Sequence, residues 1–368
     1  MQASGRSAKC IAPTGARRTR FGEEPLFEEG LYDLGSGVYA WMVPNGSWGE
    51  ANAGLVVAAR ESLLIDTLWD VRATRDMLGA MLGVMGETML TTVVNTHADG
   101  DHFWGNQLVA KAKIITSAAS RREMDHHTPA AMAKFARLGR LASALPFQDT
   151  KRIGHWFQAM CAPYAFHEVV HTPANLTFAG TQSLELSGRK VHLIEVGPAH
   201  TQGDLLVHIP DAGVLFASDI LFIGSTPVMW AGPVENWLKA LDLILGLDVH
   251  TIVPGHGPLT DKEGVAQVKA YWELTAREAR KRFDSGIPPV AAACGIVSSP
   301  AFRDSPFVDW DSPERMMTNV HVLYRHFRGD TRPLTTLQVV NILRKQALLA
   351  HALPEGRPAS MRLGGEPR

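Results

Sequence analysis

The chain has 368 residues, 45% of them hydrophobic, and its 36 Lys and Arg nearly balance 37 Asp and Glu for a formal charge of −1. Such a length can bury a substantial core, while the balanced charge offers no general field for a nucleic-acid backbone and argues against a nuclease. The three cysteines, Cys10, Cys161 and Cys294, are odd in number and widely spaced. They indicate neither a disulfide framework nor a thiolate metal site, and favour a reducing, cytoplasmic compartment.

Residues 1–22 lack the apolar core of a secretory signal and carry Arg17, Arg18 and Arg20, so they read as a flexible basic arm. No later run is long and apolar enough to span a bilayer. The expected partner is a small molecule, with no nucleic acid and no membrane, and a homo-oligomer stays open. Three short runs, 38–43, 53–58 and 62–65, are separated by Gly, Asn and Pro turns and read as the opening strands of a sheet. From Asp70 to Met85 the apolar residues Val71, Met77, Leu78, Met81 and Leu82 recur at helical spacing. Met89 to Val94 then reads as a buried strand feeding Asn95-Thr96-His97-Ala98-Asp99-Gly100-Asp101-His102. Two imidazoles and two carboxylates fall within six residues of that run. A helix opens near His102, where free backbone N–H groups can orient Asp99 and Asp101, and Gly100 permits the tight turn. A solvated polar turn is the plain alternative.

Residues 117–170 read as an inserted helical segment, either ordinary covering helix or a lid over a pocket. Its histidines, including His126, His127 and His155, sit in no ligand-like pattern. Downstream, His200 follows the strand-like run 191–196, Asp219 follows 214–217, and His256 follows 251–255. Four strand ends that each deliver His or Asp suggest one shared metal site, because rigid strands can hold donor atoms at about 2.0–2.2 Å from an ion. The apolar stretch 220–230 offers Phe222, Met229 and Trp230 as pocket walls. Trp104 and Asn106, just beyond His102, are further pocket candidates, with core packing or a structural hydrogen bond as the competing reading. Helices are expected over 261–283, 313–327 and 334–349, with 284–312 as a linker and 354–368 as a disordered tail.

Five pieces in fixed order resemble the metallo-β-lactamase superfamily: Leu63-Leu64-Ile65-Asp66-Thr67, His97-x-Asp99-x-Asp101-His102, Gly197-Pro198-Ala199-His200-Thr201-x-Gly203-Asp204, Ala217-Ser218-Asp219 and Pro254-Gly255-His256-Gly257. The resemblance implies an α/β fold, an αββα sandwich of two mixed β-sheets flanked by helices. The sandwich would occupy 23–283, with the helical insertion inside it and a helical C-terminal extension over 284–353. It also implies that His97 and His200 hold one metal, that Asp101, His102 and His256 hold another, and that Asp219 bridges them. Asp99 stands where most members carry a second His. As an oxygen donor it makes manganese or iron plausible beside zinc, in one or two sites, and a proton-handling role is the alternative.

The chemistry expected from this set is attack by a metal-bound hydroxide on an activated carbon centre, a lactone, ester, thioester or amide of an apolar or aromatic molecule. Asp99 and Asp101 are the catalytic candidates, and Asp66 and Asp204 are expected to orient ligands. Asp219 resembles glyoxalase-II-like and lactonase-like members, whereas one large antibiotic-degrading branch has Cys there. β-Lactamase-like or hydrolytic dehalogenase activity is the alternative within the chemistry. The alternative from another class is a non-catalytic metal-binding or regulatory protein that retains the fold.

Overall fold

Strands whose apolar residues alternate between two faces build two sheets that share one inner layer. A computed structural model describes residues 8–353 and Gly356. The first sheet and its helices comprise β1 (Lys9–Pro13), β2 (Gly30–Gly35), β3 (Val38–Met42), β4 (Ala53–Val57), β5 (Glu61–Ile65), α1 (Val71–Met85), β6 (Met89–Val94), α2 (Gly100–Phe103), β7 (Lys113–Ser117), α3 (Ala118–Met124), α4 (Pro129–Ser143), α5 (Gln148–Cys161) and β8 (Leu176–Phe178). Its eight strands lie in sequence order, antiparallel from β1 to β5 and parallel from β5 to β8.

The second half comprises β9 (Thr181–Leu186), β10 (Arg189–Glu195), β11 (Leu205–Ile209), β12 (Val214–Phe222), α6 (Val234–Gly246), β13 (Thr251–His256), α7 (Lys262–Asp284), α8 (Pro289–Val297), α9 (Pro300–Arg303), α10 (Met316–Phe327) and α11 (Thr336–Ala352). Its five strands run in the order β13-β12-β11-β10-β9, and only β12 and β13 are parallel, joined through α6.

Three apolar layers result. Val38, Ala40 and Met42 of β3 meet Val214 and Phe216 of β12 between the sheets. The opposite faces pack outward: Trp41 joins Met77 and Met81 of α1, and Leu215 and Ala217 join Trp237 of α6. This is the αββα sandwich of two mixed sheets, with α8 and α10 of the helical extension behind the second sheet and α11 reaching back to the outer layer of the first. Asp70 caps α1 by accepting from Ala73 N. Met77 and Met81 are fully buried on its inner face, each stabilising the layer by about 1.5–3 kcal/mol.

Several segments differ from the expectation. Lys9–Pro13 of the supposed arm forms edge strand β1, because its backbone completes the ladder of β2. Leu82, read as part of the apolar stripe of α1, faces solvent. The expected linker 284–312 is largely helical, with α8 burying Ala292, Ala293 and Ile296. Most of the supposed tail 354–368 lies outside the described residues. No helix among the described residues is long and apolar enough to cross a membrane.

Candidate metal centre

The site lies where the ends of β6 and β13, the loop before β11 and the middle of β12 converge. β6 ends in buried Val93 and Val94, and Thr96 N is held by Asp66 Oδ1 at 2.8 Å, which delivers His97 into the interior. His97, His102, His200 and His256 are all buried, as is Asp219. Around the Asp219 carboxylate, His102 Nε2 lies 3.1 Å from Oδ1, while the Nε2 atoms of His256, His200 and His97 lie 3.3, 3.4 and 3.9 Å from Oδ2. Asp101 Oδ2 sits 3.5 Å from His256 Nε2 and 3.9 Å from His102 Nε2. Asp99 Oδ2 lies 3.1 Å from His200 Nε2.

The other edge of three imidazoles is committed elsewhere. His102 Nδ1 donates to Asp66 Oδ2 at 2.8 Å, and His200 Nδ1 donates to Val228 O at 2.6 Å. His97 Nδ1 lies 3.1 Å from Ser218 Oγ; that hydroxyl donates to Thr96 Oγ1, which in turn donates to Asp66 Oδ2. Asp66 therefore holds His102 directly and His97 through the hydroxyls of Thr96 and Ser218, each 3.1 Å from His97 Nδ1. With Nδ1 committed to these bonds, each ring turns Nε2 to the shared space, where its lone pair is open to a metal ion once that nitrogen gives up any proton. His256 is held differently: Phe222 stacks face to face on it, centroids 5.0 Å apart at 2°.

These residues fit metal ions. His97 Nε2, His102 Nε2 and Asp219 Oδ1 are buried and lack a hydrogen bond of acceptable geometry, an arrangement costly without a cation or other partner. Donor atoms of His97, Asp99 and His200, of His97, His102 and Asp219, and of Asp101, His102 and His256 cluster within 4.8 Å of one another in each group. The field is strongly polarised. Burial alone would raise the Asp219 carboxyl, but His256, His102 and His97 hold it well below the usual range. Burial and the nearby His102 push His97 well down. His200 rises to about 9, burial being outweighed by Asp99 and Asp219.

The structure brings together all seven residues read as ligands and places Asp66 and Asp204 behind them. Asp204 accepts from Ala199 N, Thr201 N and Thr201 Oγ1, fixing the loop that carries His200. Several other expectations need correction. Asp219 lies inside β12 rather than after a strand, at a kink where Ser218 has φ 49°. Asp99 precedes α2 but makes no side-chain cap bond there, since its carboxylate is turned towards His200. Asn106 is fully buried and its amide is satisfied by Thr67, Asn95 and Thr172, so it braces the turn after α2 rather than a pocket. Trp104 is buried against Trp69 and Phe166 and donates to His127 O. Phe222 supports His256, and Met229 is wholly inside the outer layer beside the second sheet. Of the pocket candidates only Trp230 is partly exposed; it packs against both outer layers, and its backbone N–H donates to His200 O.

Sequence reasoning passed over Ser218 and Thr96, although both lie inside motifs it singled out. It also passed over Asn52, whose side chain donates to Pro254 O and Gly257 O and ties the first sheet to the His256 turn. His127 lies 3.7 Å from Asp99 Oδ1 at the rim.

Compared with known proteins, residues 46–256, more than half of the chain, match the family model described as "Metallo-beta-lactamase superfamily". The chain is 27% identical over 130 residues to "2,4-dinitroanisole O-demethylase subunit alpha" of Nocardioides sp. strain JS1661; the match takes in only 34% of either chain. Among solved structures, the stereoselective inverting sec-alkylsulfatase of Pseudomonas sp. superposes with a TM-score of 0.60 at 15% identity, covering 84% of this chain and 52% of that one. A metallo-beta-lactamase family protein of Thermus thermophilus superposes with a TM-score of 0.55 at 21% identity, covering 81% of this chain and 95% of that one. At these identities the superpositions speak for the fold alone.

Proposed function

The chain belongs to the metallo-beta-lactamase superfamily, and from that premise we propose that it is a metal-dependent hydrolase acting on an activated carbon centre of an apolar or aromatic small molecule. The observation that carries the reading is the set of four Nε2 atoms arranged around one buried Asp219 carboxylate, two of them without a hydrogen bond. His97, His200 and Asp99 would hold one ion, and Asp101, His102 and His256 the other, with Asp219 between them; zinc is the expected ion, and a carboxylate in each group also suits manganese or iron. Ions held there acidify water from a pKa of about 15.7 towards about 7 and offset negative charge that develops on the substrate.

The chain's own residues orient this chemistry. Asp66, Ser218 and Val228 O fix three imidazole rings, and the Asp204 bonds fix the His200 loop. Asp99 lies between His200 and His127 and is partly exposed, so in the alternative where it holds no ion it would accept or pass a proton at the rim. Trp230, partly exposed and tied through its backbone N–H to His200 O, would offer an apolar face to a substrate.

Within this reading, the similarity to a protein named for O-demethylation of dinitroanisole favours displacement of a leaving group from an activated aromatic carbon alongside lactone, ester and thioester hydrolysis. The test is a turnover panel of lactones, thioesters, aryl esters, activated aryl halides and activated aryl methyl ethers, run on protein loaded with zinc, manganese or iron. We expect metal-dependent turnover of at least one apolar class, abolished in His102→Ala and His256→Ala together with metal content. Absence of turnover in every class with every metal would favour a regulatory protein that keeps the fold.

A further inference from the structure

The hairpin of α4 and α5 carries a surface that the metal centre does not use. α4 packs mainly against α5, through Gly139 and Gly154, where a Cβ on Gly139 would already lie 3.0 Å from Phe157 Cβ. Of its fifteen residues only Pro129 and Gly139 are buried. Towards the tip, large apolar side chains face solvent: Leu138 is 50% exposed, Leu141 60%, Leu145 46% and Phe147 68%. Lys134, Leu138 and Leu141 follow one another at the three- and four-residue spacing that aligns side chains along one face of α4, with Arg137 and Arg140 beside them, and Leu145 and Phe147 follow in the turn between α4 and α5. Lys134, Arg137, Arg140 and Lys151 are exposed, and none has a carboxylate partner among the described residues. No Asp or Glu occurs from residue 126 to 148.

We propose that this hairpin docks the protein on an anionic lipid surface, the Leu138, Leu141, Leu145 and Phe147 side chains entering the headgroup boundary and Lys134, Arg137 and Arg140 meeting lipid phosphates. Protruding apolar side chains within an uncompensated basic collar are what an interfacial helix needs, because apolar burial and attraction to anionic headgroups then act at the same depth. A second copy is a poor occupant. A two-fold contact would set the same cations of both chains against each other, and Asp149, the carboxylate next to the tip, already faces Arg152. The surface is peripheral, so it revises the expectation of no membrane partner without requiring a spanning segment. It is rooted near the metal centre: α4 begins two residues after His127, which lies 3.7 Å from Asp99 Oδ1.

The test is flotation of the full chain with vesicles of phosphatidylcholine alone and with about one quarter phosphatidylglycerol, which requires no substrate. Expected are strong binding to the anionic vesicles, little to the neutral ones, and loss in about 0.5 M salt, where screening reaches only a few ångström. The triple variant Lys134→Gln, Arg137→Gln, Arg140→Gln should lower the partition coefficient roughly a hundredfold, since each cation near the surface strengthens binding about fivefold. Leu141→Ser with Phe147→Ser should lower it too. All five positions are exposed, and an unchanged thermal melt would verify that the variants fold. Equal binding to both vesicle types, no binding to either, undiminished binding of the triple variant, or a concentration-dependent dimer dissolved by Leu141→Asp would overturn the proposal.

Discussion

Asp66 is the residue on which two imidazoles depend, one directly and one through Thr96 and Ser218. Its replacement should therefore disturb both ion positions, whereas loss of the Ser218 hydroxyl should disturb only the one that uses His97. Asp66→Asn is expected to weaken metal affinity by about 10–100-fold at both positions, and Ser218→Ala to lower the occupancy of one. Metal titration with calorimetry or a chromophoric competitor distinguishes the cases; equal effects of the two variants would discard the relay. Asp99 belongs to the same scale. If its carboxylate holds an ion beside His200, Asp99→His should retain both ions and shift preference towards zinc, while Asp99→Ala should deplete one, as read by elemental analysis. Unchanged stoichiometry in both would leave Asp99 to proton handling at the rim with His127.

At the scale of elements, the ligands were legible because they stand in short motifs beside strong strand patterns; what each side chain faces was not. Asn106 and Trp104 follow His102 so closely that sequence alone turns them towards the same pocket, yet the turn after α2 rotates both inward, onto Asn95 and Trp69. β12 misled for another reason. It is buried along its whole length, with neighbours on both edges and layers on both faces, so it lacks the alternation that would have carried it past Asp219. Ser218 went unnoticed because a buried hydroxyl that orients a ring leaves no periodic trace. The close passage of β13 beside β12 gives a prediction of its own. A Cβ built on Gly255 would overlap Asp219 Oδ1, with Ser218 backbone only 2.7 Å away. Gly255→Ala should thus displace the central carboxylate, with metal content and activity falling together by about tenfold or more while far-UV circular dichroism stays native. A variant retaining full metal would mean that the strand shifts without moving Asp219. Trp230, the partly exposed aromatic candidate, makes a milder test: Trp230→Ala should raise KM for an aromatic substrate about tenfold with metal retained, about 1.4 kcal/mol of lost contact.

At the scale of the whole molecule, the loop between β3 and β4 joins the halves, since Asn52 N donates to Gly255 O and its amide to Pro254 O and Gly257 O. Within that loop lies Glu50, fully buried, accepting from Asn45 N and Ser47 N. Burial pushes its carboxyl up to about 8 in spite of those bonds, with Glu23 and Asp311 adding to the effect. A pKa raised on folding means that the native state favours the neutral acid. Its stabilisation is fully present below the unfolded value near 4.5 and is lost as pH climbs through about 8. Glu50→Gln keeps an acceptor for both N–H groups and stays neutral, so denaturant melts at about pH 6 and pH 9 should differ less in the variant than in the parent, by on the order of a few kcal/mol. The same slope in both proteins would assign the pH dependence elsewhere.

The convergence of ligands from both sheets also bears on how the chain holds its shape. His102 leaves the first sheet and His256 ends the last strand of the second. An ion gripped by both would act as a reversible cross-link, closing a chain loop of about 150 residues and reducing the freedom of the unfolded ensemble much as a disulfide does. Chelation should then lower the melting temperature of the whole sandwich cooperatively, leaving an apoprotein whose halves part more readily at this seam than anywhere along their shared layer.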